Sequence, residues 1–151
     1  MSAIYGYFMR ILFVCTGNSY RSPVAEAILR KLDSSIDVDS AGTSPGIPIS
    51  AAAKSYLTQV KARRFLKPIP EGLDTKDLLS YDLIVAMESK HKEALLGTCR
   101  KCAEKVVVWN VADPYFASNG VVQKIFDQIR GNVVDLVRSL KGQPGAMLKR
   151  R

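Results

Sequence analysis

A nucleophile, a planar cation and a carboxylic acid are the side chains of this sequence best suited to chemistry, and they stand in two short stretches. Cys15, Arg21 and Ser22 stand in Cys15-Thr16-Gly17-Asn18-Ser19-Tyr20-Arg21-Ser22, and Asp113 opens Asp113-Pro114-Tyr115-Phe116 far downstream. A thiolate attacks phosphorus readily, a guanidinium offers two parallel N–H donors to phosphate oxygens, and a carboxylic acid can protonate a departing alcohol or phenol. None of this works unless the chain holds these groups around one anion.

The flanking sequence supplies the holder. Ile11-Leu12-Phe13-Val14 reads as a short buried strand that ends on Cys15. Pro23-Val24-Ala25-Glu26-Ala27-Ile28-Leu29 reads as a helix start, with Ser22 at the N-cap and Pro23 in the first helical position. A tight turn between a strand and a helix N-terminus is an anion site. Its N–H groups, here from Thr16 to Arg21, can converge on one ligand, and the helix dipole adds positive charge. Gly17 is expected to supply a backbone conformation that residues with a Cβ avoid. The same cup favours the ionised form of a thiol. The bland alternative is a buried strand-end cysteine, and Cys-x5-Arg alone would not exclude it.

The segment resembles the phosphate-binding loop of the low-molecular-weight protein tyrosine phosphatases, whose signature is Cys-x5-Arg-Ser/Thr near the N-terminus. Asp113-Pro114-Tyr115 resembles the acid loop of the same family, Asp-Pro followed by Tyr or Phe. The resemblance covers roughly residues 10 to 140. It implies a phosphocysteine on Cys15, with Asp113 as acid and then base. Thr16, Gly17, Asn18, Ser19 and Tyr20 would bind the phosphate, and Tyr115 and Phe116 would wall it. Ser22 would cap the helix and donate to the departing thiolate, while Asn18 and Ser40 would hold the loop open. The family often has a second cysteine where Tyr20 stands, and many members carry a supporting histidine near Val60-Lys61-Ala62-Arg63-Arg64. Here the one histidine, His91, is elsewhere, and the aromatic that many members place after Ser40-Ala41-Gly42 is missing.

Composition is consistent with such an enzyme. The 151 residues carry a net charge of +8, with 47% hydrophobic and 24% charged residues, which suits one soluble domain that attracts anions. The bases are scattered and no nucleic-acid motif appears, so nucleic acid is not the expected partner. Apolar runs are too short to span a bilayer, and residues 1–8 lack a basic start before an apolar core. The expected location is cytoplasmic, with phosphorylated proteins or peptides as substrates, inorganic phosphate as product, no membrane contact and a monomer or weak dimer. Neither a cofactor nor a metal is expected. Cys99 and Cys102 lack enough neighbouring ligands for zinc and read as two loop thiols, with a local disulfide as the alternative.

Strand and helix patterns alternate along the chain, which implies an α/β fold. Strands are expected at 11–15, 36–41, 82–87 and 106–109, and helices at 23–32, 51–60, 90–96 and 121–140. Residues 61–72, basic and interrupted by prolines, read as a connecting loop with a solvated surface. The expected architecture is a single-domain, three-layer sandwich with helices on both faces. The resemblance implies a four-stranded parallel sheet in the order 2-1-3-4. Residues 1–8 read as a loose lead-in, 9–141 as the catalytic domain and 142–151 as a disordered basic tail.

Three other functions compete. A thioredoxin-coupled arsenate reductase needs a cysteine at the end of strand three, where Met87 stands. A phosphocysteine carrier needs no acid, which Asp113 argues against. An arginine phosphatase differs two residues before the arginine, where threonine replaces the isoleucine of many tyrosine phosphatases; Ser19 matches neither.

Overall fold

The central strand decides the architecture. In the computed structural model, which describes residues 9–142, strand β1 (Arg10–Cys15) is buried from Ile11 onwards on both faces. Strands β2 (Asp37–Gly42), β3 (Leu83–Ala86) and β4 (Val106–Val108) complete a parallel sheet in the order β2-β1-β3-β4. This is the expected order. A strand covered on both faces must be apolar at every position, which is why Ile11-Leu12-Phe13-Val14 shows no alternation.

Successive β1 side chains feed two different cores. Ile11, Phe13 and Cys15 pack with helices α1 (Arg21–Leu32), α2 (Ala51–Gln59) and α4 (Asn119–Gly142). Leu12 and Val14 face the opposite layer, with Leu95 of α3 (Ser89–Thr98), Leu78, Tyr81 and Cys102. Helix α4 buries Val122, Ile125, Phe126, Ile129, Val133, Val137 and Leu140, a stripe at helical spacing. Each such side chain contributes roughly 1.5–3 kcal/mol by leaving water.

The ends of elements differ from expectation in ways that matter. Helix α1 begins at Arg21, so Ser22 lies inside its first turn and Tyr20 takes the cap position without a side-chain cap bond. Ser50 does cap α2, its hydroxyl accepting from the Ala53 N–H at 3.0 Å. Helix α4 extends through Gly142, a residue assigned above to the tail. The lead-in at 1–8 and the rest of the tail lie outside the described residues. Cys99 and Cys102 are joined in a disulfide rather than standing as separate thiols. They sit where α3 ends and a 3-10 helix (Arg100–Lys105) begins, so a separation of three residues closes in one tight turn.

Residues 61–80 do more than connect. They run back along β2, where the Gly42 N–H donates to the Glu71 carbonyl at 2.9 Å and Gly42 bridges Gly72 in parallel. Gly42 also lies directly opposite Cys15 in the β1–β2 register. A Cβ placed on Gly42 would lie 2.5 Å from the Thr16 carbonyl oxygen and 2.9 Å from the Asn18 nitrogen, both backbone atoms. Glycine is therefore required here by close approach, not by a turn. Gly42→Ala should destabilise the fold by about 1–3 kcal/mol and weaken phosphate binding, because the displaced atoms belong to the loop. Urea unfolding and phosphate titration of the variant measure the two effects.

Candidate active site

The loop after β1 folds back on itself between two fixed ends. Its conformation depends on Asn18, which sits in the left-handed region at φ 53°. Gly17 does not, and a Cβ there would meet only ordinary contacts, so the flexibility expected of Gly17 is in fact demanded of its neighbour. Asparagine tolerates this region because its short polar side chain finds local hydrogen bonds. The N–H groups of Gly17, Asn18, Ser19 and Tyr20 donate to no acceptor among the described residues.

Cys15 lies at the base of the loop, 2% exposed, with its Sγ 2.9 Å from the Ser22 Oγ. The proton in that contact can be placed from the surrounding bonds. Asn18 Nδ2 donates to Ser22 Oγ at 2.8 Å and to Ser40 Oγ at 2.9 Å. Ser40 Oγ in turn donates to the buried Glu26 carboxylate at 2.5 Å. With its oxygen accepting from Asn18, Ser22 keeps its own hydrogen for the sulfur. Burial raises the pKa of Glu26, while its bond from Ser40 and the charges of Lys67 and Arg30 oppose the rise.

Arg21 is also 2% exposed, and its guanidinium is held from several directions. Nη1 donates to Glu88 Oε1 at 2.6 Å and to the Val111 carbonyl at 2.8 Å. Nη2 lies 3.4 Å from Thr16 Oγ1 and 3.7 Å from Asp113 Oδ2. Asp113 is partly exposed, and its Oδ1 accepts from the Tyr115 N–H at 3.0 Å, fixing the turn that begins there. The acid and the arginine thus face each other across the cup.

His91 is drawn into the same assembly. Its Nδ1 accepts from the Glu88 N–H at 3.0 Å, so in the neutral ring Nε2 carries the proton and donates to Thr16 Oγ1 at 2.8 Å. Burial first, and then the nearby Arg21 charge, lower its pKa to about 4 against the opposing pull of Glu88. A neutral imidazole therefore steadies the loop at neutral pH.

The cup opens into a pocket of about 260 Å³. Cys15, Thr16, Gly17, Ser19 and Arg21 line it, and Tyr20, Ile47, Asp113 and Tyr115 stand among its further lining residues. Tyr20 and Tyr115 meet edge to face, with ring centroids 6.2 Å apart. Phe116 does not line the pocket, contrary to expectation. It is 94% exposed and packs its ring against the outer side of Tyr115 at 4.6 Å, because the turn at Asp113 sends successive side chains different ways. Asn18 and Ser22 lie fully buried outside the lining, so the Asn18 side chain supports the loop rather than touching the pocket.

Comparison with known proteins places this geometry in a family. The sequence model of the low molecular weight phosphotyrosine protein phosphatase family matches residues 10–145. The chain belongs to that family. Over 129 residues it is 31% identical to the low molecular weight protein-tyrosine-phosphatase PtpB of Staphylococcus haemolyticus, covering 80% of this chain and 92% of that one. It is 26% identical to the protein-arginine-phosphatase of Bacillus subtilis, covering 88% of this chain and 97% of the relative. The crystal structure of a low molecular weight protein tyrosine phosphatase from T. tengcongensis superposes with a TM-score of 0.79 at 30% identity, covering 87% of this chain and 99% of that one. Among the described residues of this family member, no helix is long and apolar enough to cross a membrane, and no group of three or more His, Cys, Asp or Glu could hold a metal.

The fold brings Cys15, Arg21, Ser22, Ser40 and Asp113, all named from the sequence, to one place. Sequence reasoning missed Glu88, His91, Glu26 and Lys67. Glu88 and His91 had a readable signal, because they flank the start of α3 three residues apart and form a capping box. Protonating His91 would break its bond from the Glu88 N–H. Its folded pKa is depressed, so the unfolded chain binds more protons between about pH 6.5 and pH 4. The stabilisation is full above pH 6.5 and is lost as pH falls towards 4, on the order of 3 kcal/mol. Urea melts of wild type and His91→Gln should show a stability gap near pH 7 that closes towards pH 4.

Proposed function

We propose that this chain hydrolyses phosphotyrosine in proteins or peptides through a phosphocysteine on Cys15. The observation that carries the reading is the Cys15 Sγ at the base of a pocket that Arg21 and Asp113 also line, with the Ser22 hydroxyl 2.9 Å from the sulfur. In the first step the thiolate attacks phosphorus, the P–O bond breaks, and Asp113 gives its proton to the leaving oxygen. In the second, Asp113 takes a proton from water as that water attacks phosphorus. The P–S bond then breaks and its electron pair returns to the sulfur. Arg21 and the free loop N–H groups bind the equatorial oxygens, where charge builds up in both transition states. Cys15→Ser should lose at least ~10³-fold in turnover while still binding phosphate. Near-normal hydrolysis by that variant would remove Cys15 from the reaction.

The choice of phosphotyrosine over phosphoarginine rests on the walls. Tyr20, Tyr115 and Ile47 offer apolar and aromatic surface to a flat ring, and among the described residues Asp113 is the only carboxylate in the lining. Ser19 does not offer its hydroxyl to a substrate, because it donates to the Pro48 carbonyl at 2.6 Å and is 1% exposed. The relatives include proteins named for each activity, so the walls carry the choice. Measured kcat/KM should favour phosphotyrosine, and a preference for phosphoarginine would overturn the substrate while leaving the mechanism standing. Asp113→Asn should slow cleavage of phosphotyrosine by ~10²–10⁴-fold, and that of an activated nitrophenyl ester much less. Equal losses on both esters would show that Asp113 is not the proton donor.

A further inference from the structure

Lys67 belongs to the basic stretch that reads as solvated surface, yet its side chain is only 6% exposed. It points inward, beneath the phosphate loop. Its Nζ donates to Asn18 Oδ1 at 2.8 Å, to the Ser40 carbonyl at 2.8 Å and to Ser40 Oγ at 3.2 Å, and pairs with Glu71 at 2.8 Å. The Glu71 N–H is the second donor to Asn18 Oδ1, also at 2.8 Å.

These bonds settle which way the Asn18 amide faces. With Oδ1 claimed by an ammonium and an N–H, the NH2 end must turn towards Ser22 and Ser40, where it donates to both hydroxyls. Ser22 then has one proton left and one acceptor for it, the Cys15 sulfur. Reversing the amide would offer Ser22 a carbonyl oxygen, and its hydroxyl would turn away from the sulfur to donate there. A buried ammonium next to a carbonyl oxygen strongly disfavours that reversal.

We propose that Lys67 is a positioning residue for the breakdown of the phosphocysteine. It acts through Asn18 to keep the Ser22 proton on the sulfur as the P–S bond breaks and the thiolate leaves. The proposal rests on the phosphocysteine reading above. In its absence the thiolate is a poorer leaving group, so the second step should suffer and the first should not.

The test is rapid-quench kinetics with nitrophenyl phosphate on the full chain, comparing wild type, Lys67→Met, Lys67→Gln, Ser22→Ala and the two double variants. Lys67→Met removes the ammonium and leaves the Glu71 N–H as the remaining donor to Asn18 Oδ1, and Lys67→Gln keeps a neutral side-chain donor should the methionine variant fail to fold. Phosphate-induced thermal shifts report whether each variant still forms the loop. Each lysine variant should give a burst of one nitrophenol per chain at close to the wild-type rate, followed by breakdown ~10- to 100-fold slower. Adding either change to Ser22→Ala should slow breakdown by less than about 3-fold more, since both act on one proton. Unchanged breakdown, a loss confined to the burst rate, or effects that multiply in the double variants would overturn the role of Lys67. Failure to trap any phosphoenzyme from wild type or from Ser22→Ala would instead strike the phosphocysteine reading itself.

Discussion

A guanidinium that is 2% exposed is the constraint on which this molecule is built. Removing such a charge from water costs several kcal/mol unless partners replace the lost hydration. For Arg21 those partners come from three of the four strand ends at the functional edge. Thr16 follows β1, Glu88 follows β3, and Val111 and Asp113 follow β4. The charge therefore ties the carboxyl ends of three strands together. The parallel sheet explains how this is possible, since only parallel strands deliver all their exits to one edge. The fourth strand, β2, contributes from the side through Ser40 and Gly42.

A second constraint follows from the shape of the loop. The N–H groups of Gly17, Asn18, Ser19 and Tyr20 meet no acceptor among the described residues, so they do not hold the loop in place. Support comes instead from side chains beneath it and from carbonyls that face outward. The Thr43 and Ser44 N–H groups donate to the Cys15 and Thr16 carbonyls at 3.0 and 2.8 Å, and the Ser50 N–H donates to the Ser19 carbonyl at 3.0 Å. Asn18, Ser40, Glu26 and Lys67 supply the layer below. The polarity of that layer is fixed from the outside inwards, and the last hydrogen in the sequence points at the Cys15 sulfur.

What could be read from sequence follows the range of the interactions. The strand, the turn, the arginine and the serine of the loop lie within eight consecutive residues, and local chemistry identifies them. Sheet order and the reach of Asp113 came from the resemblance, which carries long-range pairing that periodicity does not. Lys67 was illegible because nothing in Leu66-Lys67-Pro68 distinguishes an inward lysine from a solvated one. Only the path of residues 61–80 along β2 turns it inward. The cap assigned to Ser22 failed for a related reason: the same hydroxyl suits a helix start and a sulfur, and the sulfur claims it. Gly17 and Gly42 show the limit most sharply, because the glycine that the packing requires lies on another strand.

The pairing of Cys99 with Cys102 leaves Cys15 as the one thiol among the three cysteines of the chain. The sheet lies between them, since Cys15 packs in the α1–α4 core and Cys102 in the core on the opposite face. A peroxide that converts Cys15 to a sulfenic acid thus meets no resolving sulfur within the molecule. Repair has to come from a thiol in solution that can enter the pocket. A second equivalent of peroxide carries the sulfur to the sulfinic acid, which ordinary thiols do not reduce. Under oxidising conditions the state of Cys15 becomes a race between those two small reagents for a single atom.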